Sequence, residues 1–516
     1  LKPCGFKARA RPGSEDRLLD SKARTTNGRA SRMGPPGTSH VCPIAAVGAI
    51  FMLAPSAVVG TGLPRINVGA CGWFTSSTRL YQLMDYAALV ALEEGFLDDQ
   101  ISNSSFTVRL RAIHTACSSS VGSSASLPLL LGEGLQAARL YSDTVDEPPV
   151  VAISGCGCSG SSMAVSQLAS TFQVPVVSGA ATSPKLSNKA SYPFFARLIP
   201  PDTKQGSGLA AIMKYFGDLA PLGGWRFCMV LHTNQPYAEG VADAFLEAAA
   251  TEMPGFSVFR EQLPHMPLST PEEAAQFEPA RVREVAQRVA RLRPRPRVFV
   301  VPANGKDLPP IVRVLEEFYL LVPEASVFLA DSSCVMGQLQ AVGDEQRAFA
   351  NASRDTAAAS FWAPEYNFRT AVPATLVGAL CLLADAHGPR YFSPAWKAFW
   401  TNLTRDKLLA KGMPLSHYSE PAFFADFTVL DMVPYHAFIF DAMTSLLAAI
   451  GSLLSSGVQA ADIRGEPLLR ALLAVQFEGI SGNVAFDANG DRLGPYVLRN
   501  LKNATHFAAV GTYDAA

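Results

Sequence analysis

From Ile66 onward, short apolar and β-branched runs alternate with longer stretches whose apolar residues recur every three or four positions. Ile66–Cys71 reads as a strand, and Leu80, Leu83, Met84, Ala87, Ala88 and Ala91 then follow at helical spacing. The same pattern predicts strands at Phe106–Ile113, Pro149–Ser154 and Val174–Ser178, with helices around Val121–Ala138 and Ser161–Thr171 between them. A second block repeats the alternation. Strands at Arg226–Leu231, Arg297–Val301 and Ser326–Leu329 are separated by helices near Lys204–Phe216, Tyr237–Thr251, Pro279–Arg293 and Leu308–Leu321. A third block, Thr370–Val475, reads as mainly helical and ends in a compact β-like tail, Phe477–Asn500. Strands separated by helices imply parallel sheets covered on both faces. Right-handed crossovers gather the loops at the carboxyl ends of the strands, where such sheets bind ligands. The expected architecture is an α/β protein of two lobes around a cleft.

The residues before the first strand have a different character. Leu1–Arg32 is rich in Arg, Ser, Gly and Lys with little apolar periodicity, and is expected to be unstructured or non-native leader. Met33 is a more sensible start, and the apolar run Cys42–Leu53 followed by small residues through Gly60 fits a signal peptide over 33–60. A buried helix or a short anchor is the other reading of that run. Four N-x-Ser/Thr triplets, at Asn103, Asn351, Asn402 and Asn503, are acceptor sites for glycosylation if the chain is exported. The richest later apolar stretch, Ala442–Ser456, is short for a bilayer span and reads as a core helix. A membrane receptor therefore needs a spanning part from elsewhere.

At 516 residues the chain is too long for one compact core. Its formal net charge of -1 leaves no basic surplus for phosphates, so nucleic acid is excluded as the expected partner. Nine cysteines carry no metal-ligand spacing, since Cys156-Gly157-Cys158 is one residue too tight for a C-x-x-C knuckle. Buried thiols or a few disulfides remain, and neither cofactor nor metal is expected.

Three stretches carry a family resemblance: Ser154–Ser161 (SGCGCSGS) running on to Val177–Asn188; Phe195–Asp202 followed by Leu231–Gly240; and Phe477–Arg492. Together they resemble the ligand-binding region shared by class C G-protein-coupled receptors and natriuretic-peptide receptors, over about residues 66–511. They are most similar to the metabotropic glutamate and metabotropic GABA types. The resemblance implies a periplasmic-binding-protein-like type 1 fold, with an upper lobe of about 66–197 and 340–475 and a lower lobe of about 198–339 and 476–505. It also implies an extracellular, ligand-driven clamp coupled to a transmembrane segment or subunit, and dimerisation through the upper lobes.

The same resemblance implies a site. Ser159 and Thr182 fall where the upper lobe holds a ligand carboxylate, and hydroxyls beside free backbone N–H groups suit an anion. Asp202, Tyr237 and Asp331 fall where the lower lobe holds an ammonium, which carboxylates and an aromatic face attract. Each has a plainer reading: Ser159, Thr182 and Asp202 as helix caps, Tyr237 as core, Asp331 as the end of a strand. Cys117 and Cys158 match a disulfide that pins the binding loop, with free thiols the alternative. The chain departs from the GABA pattern at Ile199, Asn304 and Ser332, which weighs against GABA itself, and no match stands for the glutamate receptors' side-chain lysine.

Rival functions fare worse. Ser159 resembles a hydrolase nucleophile elbow, but Ser161 stands where that turn needs Gly, and His232 has no ordered third group in the sequence. No enzyme is expected. The Asp487–Asp491 run looks like the start of a calcium loop, yet its glycine and Leu498 are misplaced for one, and a β-turn with Gly490 at positive φ is expected. Besides a receptor ectodomain, a freestanding secreted amino-acid-binding protein and a natriuretic-peptide or guanylate-cyclase-type ectodomain are the alternatives.

Overall fold

The computed structural model describes residues 63–72, 79–132, 148–219, 225, 227–264, 279–305, 307–321, 325–334, 374–413, 434–503 and 506–514. The leader, the signal segment and Asn351 lie outside them. The chain opens with β1 (Arg65–Gly72), α1 (Arg79–Glu93), β2 (Thr107–His114), α2 (Ser119–Leu131), β3 (Ala152–Gly155), α3 (Ser159–Thr171), β4 (Val176–Ser178) and β5 (Phe195–Arg197). Its five strands form one wholly parallel sheet in the order β2-β1-β3-β4-β5. Seven of the eight β1 residues are buried, as expected of a strand covered on both faces.

A second sheet takes β6 (Phe227–Thr233), β7 (Ser257–Leu263), β8 (Val298–Val301), β9 (Ser326–Leu329) and β10 (Leu380–Ala384), with β13 (Tyr496–Asn503) and β14 (His506–Tyr513) from the end of the chain. Its order is β14-β13-β10-β9-β8-β6-β7, parallel from β7 to β10 and antiparallel at β13 and β14. The intervening helices are α4 (Asp202–Leu219), α5 (Pro236–Glu252), α6 (Pro279–Arg291) and α7 (Leu308–Glu317). Helix α6 shows why such segments fold as they do. Val282, Val285, Ala286 and Val289 are buried on one stripe, while Arg283 and Arg288 reach outward to Glu317 and Glu261.

After β10 the chain returns to the first lobe. There α8 (Pro394–Asn402), α9 (Arg405–Ala410), α10 (Pro434–Ser455) and α11 (Gly465–Leu473) precede the hairpin β11 (Phe477–Gly479) and β12 (Gly482–Val484). Trp396 and Phe399 of α8 pack on Phe96 and Phe440, and α10 lies against α1, β3 and β4. Helix α10 is the one helix among the described residues long and apolar enough to cross a membrane, but 83% of that window is buried, as in a core helix. Asp441 of α10 accepts hydrogen bonds from Ile480 N (3.1 Å), Ser481 N (2.8 Å) and the Ser481 hydroxyl, fastening the hairpin beneath it.

Both parallel sheets reverse strand order, at β1/β3 and at β6/β8. Crevices for ligands lie outside the carboxyl ends of strands at such reversals. Two details differ from the sequence expectation. Strand β10, inside the stretch expected to be helical and assigned to the upper lobe, is a central strand of the second sheet. The hairpin at 477–484, expected with the lower lobe, is bound to α10 on the first.

Candidate functional site

The first sheet presents its loops through paired cysteines. Cys117 is bonded to Cys158, joining the starts of α2 and α3, and Cys71 is bonded to Cys156, joining the ends of β1 and β3. Gly155 is required here: its φ is +103°, and a Cβ would sit 2.0 Å from the Cys71 carbonyl oxygen. A third disulfide, Cys334–Cys381, ties the loop after β9 to β10. The sequence did not signal the second and third pairs.

Ser159 is the first residue of α3 and is buried. Its hydroxyl does not cap that helix but accepts from the Ser183 amide at 3.2 Å, tying the two upper-lobe loops together. Thr182 lies in the second loop with its hydroxyl buried and without a hydrogen-bond partner, while its carbonyl accepts from the Asp202 amide at 2.9 Å. Beneath that loop Arg197 is fully buried. It donates to the carbonyls of Ala181 (3.2 Å) and Ser183 (2.9 Å), to the Ser187 hydroxyl, and to Asp491 through Nε at 2.6 Å. Asp491 belongs to the turn in which Gly490 N donates to Asp487 O (3.0 Å) at a φ of 64°, as the sequence predicted. Arg197 and Asp491 were missed as a pair; the available signal was a charge inside an otherwise apolar strand.

Asp202, Tyr237 and Asp331 come together. Asp202 opens α4 with no exposed surface, and neither carboxylate oxygen has a hydrogen-bond partner, so it caps nothing. The Thr182 hydroxyl beside it favours the charged form but stands outside hydrogen-bonding geometry. Burial, and then the neighbouring Asp331 carboxylate, push the Asp202 pKa well above its ordinary value. Tyr237, from the first turn of α5, donates to Oδ1 of Asp331, and its own pKa is raised by burial and by both carboxylates. Oδ2 of Asp331 accepts from Tyr435 at the start of α10, so this carboxylate is held by one tyrosine from each lobe. Tyr496 completes the cluster from β13, its hydroxyl on the Pro201 carbonyl at 3.3 Å. Tyr435 and Tyr496 carry no motif and were invisible in the sequence.

Both ring nitrogens of His232 are engaged, Nδ1–H on the Thr233 carbonyl (3.0 Å) and Nε2 by Arg260 (2.7 Å), leaving neither for a hydrolytic base. Among the described residues no group of three or more His, Cys, Asp or Glu side chains is arranged to hold a metal. Of the sequons, Asn402 and Asn503 are exposed and Asn103 is half-buried.

Two helix-covered sheets with reversed strand order define a two-lobed α/β protein, and comparison with known proteins gives its family. The model of the receptor family ligand binding region matches residues 83–356, more than half of the chain, and the chain belongs to that family. It is similar to metabotropic glutamate receptor 6 of Rattus norvegicus and of Mus musculus, 24% identical over 394 residues, and of Oryctolagus cuniculus, 23% identical over 393. Each match covers 71% of this chain and 40% of the receptor, so the chain spans less than half the length of these relatives.

Proposed function

We propose that this chain is the extracellular ligand-binding module of a membrane receptor and that it takes a small ligand of amino-acid type between its lobes. In this reading Ser159 and Thr182 receive the ligand carboxylate, and Asp202, Tyr237 and Asp331 receive its ammonium. The observation that carries it is Asp202: a fully buried carboxylate with both oxygens unpaired, next to a second carboxylate. Such a site is costly unless a cation arrives, and an ammonium supplies three donors and the missing charge. The unpartnered Thr182 hydroxyl adjoins it on the other lobe. A ligand touching both lobes binds the closed arrangement better than an open one and so favours closure.

Three disulfides support an oxidising compartment and hence secretion or display at the cell surface. The likeness to receptors, of whose length this chain spans 40%, supports a membrane-spanning signalling partner. Thermal shift of the full chain against the common α-amino acids tests the site. A bound ligand at a hundredfold excess over its Kd stabilises by about 2.7 kcal/mol, and Asp202→Asn is expected to abolish that shift. A folded protein stabilised by no α-amino acid, or one whose Asp202→Asn variant responds unchanged, refutes the reading.

A further inference from the structure

A narrow cavity lies at the strand reversal of the first sheet, between the carboxyl ends of β1, β3 and β4. Gly72, Gly155–Gly157 and Gly179–Ala180 line it, with Ile439 of α10 and Asp85 of α1. Its volume is about 10 Å³, room for one water-sized group. The loops leaving it carry Ser159, two residues beyond Gly157, and Thr182, two beyond Ala180.

Asp85 is the one ionisable side chain lining this cavity among the described residues. It is 3% exposed, and its Oδ1 accepts from the Ser154 hydroxyl at 2.6 Å. No described residue bonds its other oxygen. A carboxyl in the middle of a helix whose neighbours Leu83, Met84, Tyr86, Ala87 and Ala88 are all buried core contributes nothing to packing that a leucine would not supply better. Among the described residues nothing else at the cavity neutralises it, and their mainly apolar walls offer too few oxygens to strip the water from a metal cation.

We propose that this cavity is a subsite for a second amino group on the ligand, so that the ligand is a diamino acid whose distal ammonium rests on Asp85. The inference rests on the amino-acid reading above and narrows it. An ammonium head matches a water in size and brings the donors that the free Asp85 oxygen lacks. The acid–base state fits as well: burial lifts the Asp85 pKa to about 7, against the pull of the Ser154 hydroxyl, so near neutrality the carboxyl is partly protonated until a cation displaces the proton.

Calorimetric titration of the full chain compares 2,4-diaminobutyrate, ornithine and lysine with their methyl-ended isosteres norvaline, norleucine and 2-aminoheptanoate. At least one diamino acid is expected to bind tenfold or more tightly than its isostere, and Asp85→Asn to erase that ratio. Isosteres that bind as well as their amines, or a ratio that survives Asp85→Asn, overturn the subsite and leave the amino-acid reading intact. Binding of neither series overturns both. Because Asp85→Asn could misfold, wild-type protein supplies an independent readout in buffers of different ionisation enthalpy. At pH 7 the diamino acid is expected to release a fraction of a proton more than its isostere, and equal release overturns the subsite.

Discussion

Arg197 carries a charge into a three-residue strand with no exposed surface, and the arrangement around it shows what such a residue does. Its guanidinium spends its donors on the Ala181 and Ser183 carbonyls, on Ser187 and on Asp491, so the loop bearing Thr182 rests on a fixed support. Removing one partner of a buried pair leaves the other charge uncompensated, at a cost of about 3–5 kcal/mol. Asp491→Ala should lower stability by that order in denaturant unfolding, and Asp491→Asn, which keeps the hydrogen bond, by less. Asp85 makes a prediction of opposite sign. Its folded pKa of about 7 exceeds the 3.8 of the free side chain, so the native state holds the extra proton between those values and stability falls as pH rises through that window. Ionising it in place costs roughly 4 kcal/mol at most. Asp85→Asn keeps an acceptor for Ser154 and should gain stability relative to wild type on moving from pH 5 to pH 8, measured as the difference in Tm. Asp202, also raised, contributes to both proteins and cancels.

At the scale of elements, the helices were legible because their stripes are regular, and α3, α5 and α6 fall within two residues of the boundaries that spacing implies. The missed strands have physical reasons. Strand β7 is an edge strand with mostly exposed or half-buried residues, Arg260, Glu261 and Gln262 among them, so the apolar run that marks a strand is absent. Strand β10 fails oppositely: Leu380–Ala384 is almost wholly apolar and buried between two neighbours, and periodicity cannot separate such a run from a helix. The site divides in the same way. Ser159, Thr182, Asp202, Tyr237 and Asp331 sit in loops or at helix starts, where motifs survive. Tyr435 and Tyr496 stand at element starts outside any recognisable motif and Asp85 lies mid-helix, so only the tertiary fold shows what they face. Close helix packing has its own requirement. A Cβ at Gly206 of α4 would lie 2.5 Å from the Ala244 carbonyl carbon of α5. Gly206→Leu must therefore push the two helices apart and is expected to lower Tm by several degrees, consistent with an overpacking cost of about 1–3 kcal/mol.

At the scale of the molecule, the two lobes meet at Asp331, which takes Tyr237 from one side and Tyr435 from the other. Tyr435→Phe removes the cross-lobe hydroxyl while keeping the ring. It should weaken the contact between the lobes, seen as a larger radius of gyration by small-angle scattering without a change in far-ultraviolet circular dichroism. An unchanged radius would mean that other contacts alone hold the lobes.

The antiparallel pairing of β13 with β10 has a consequence for anyone who cuts this gene. Leu380 to Ala384 pair with Asn500 to Tyr496, a segment more than a hundred residues later that arrives only after the chain has revisited the first lobe. A fragment ending near residue 475 would keep the proposed site residues Ser159, Thr182, Asp202, Tyr237 and Asp331 yet leave β10 with an open, apolar hydrogen-bonding edge. Such an edge recruits another chain in place of the missing one. Soluble production thus turns on the last forty residues.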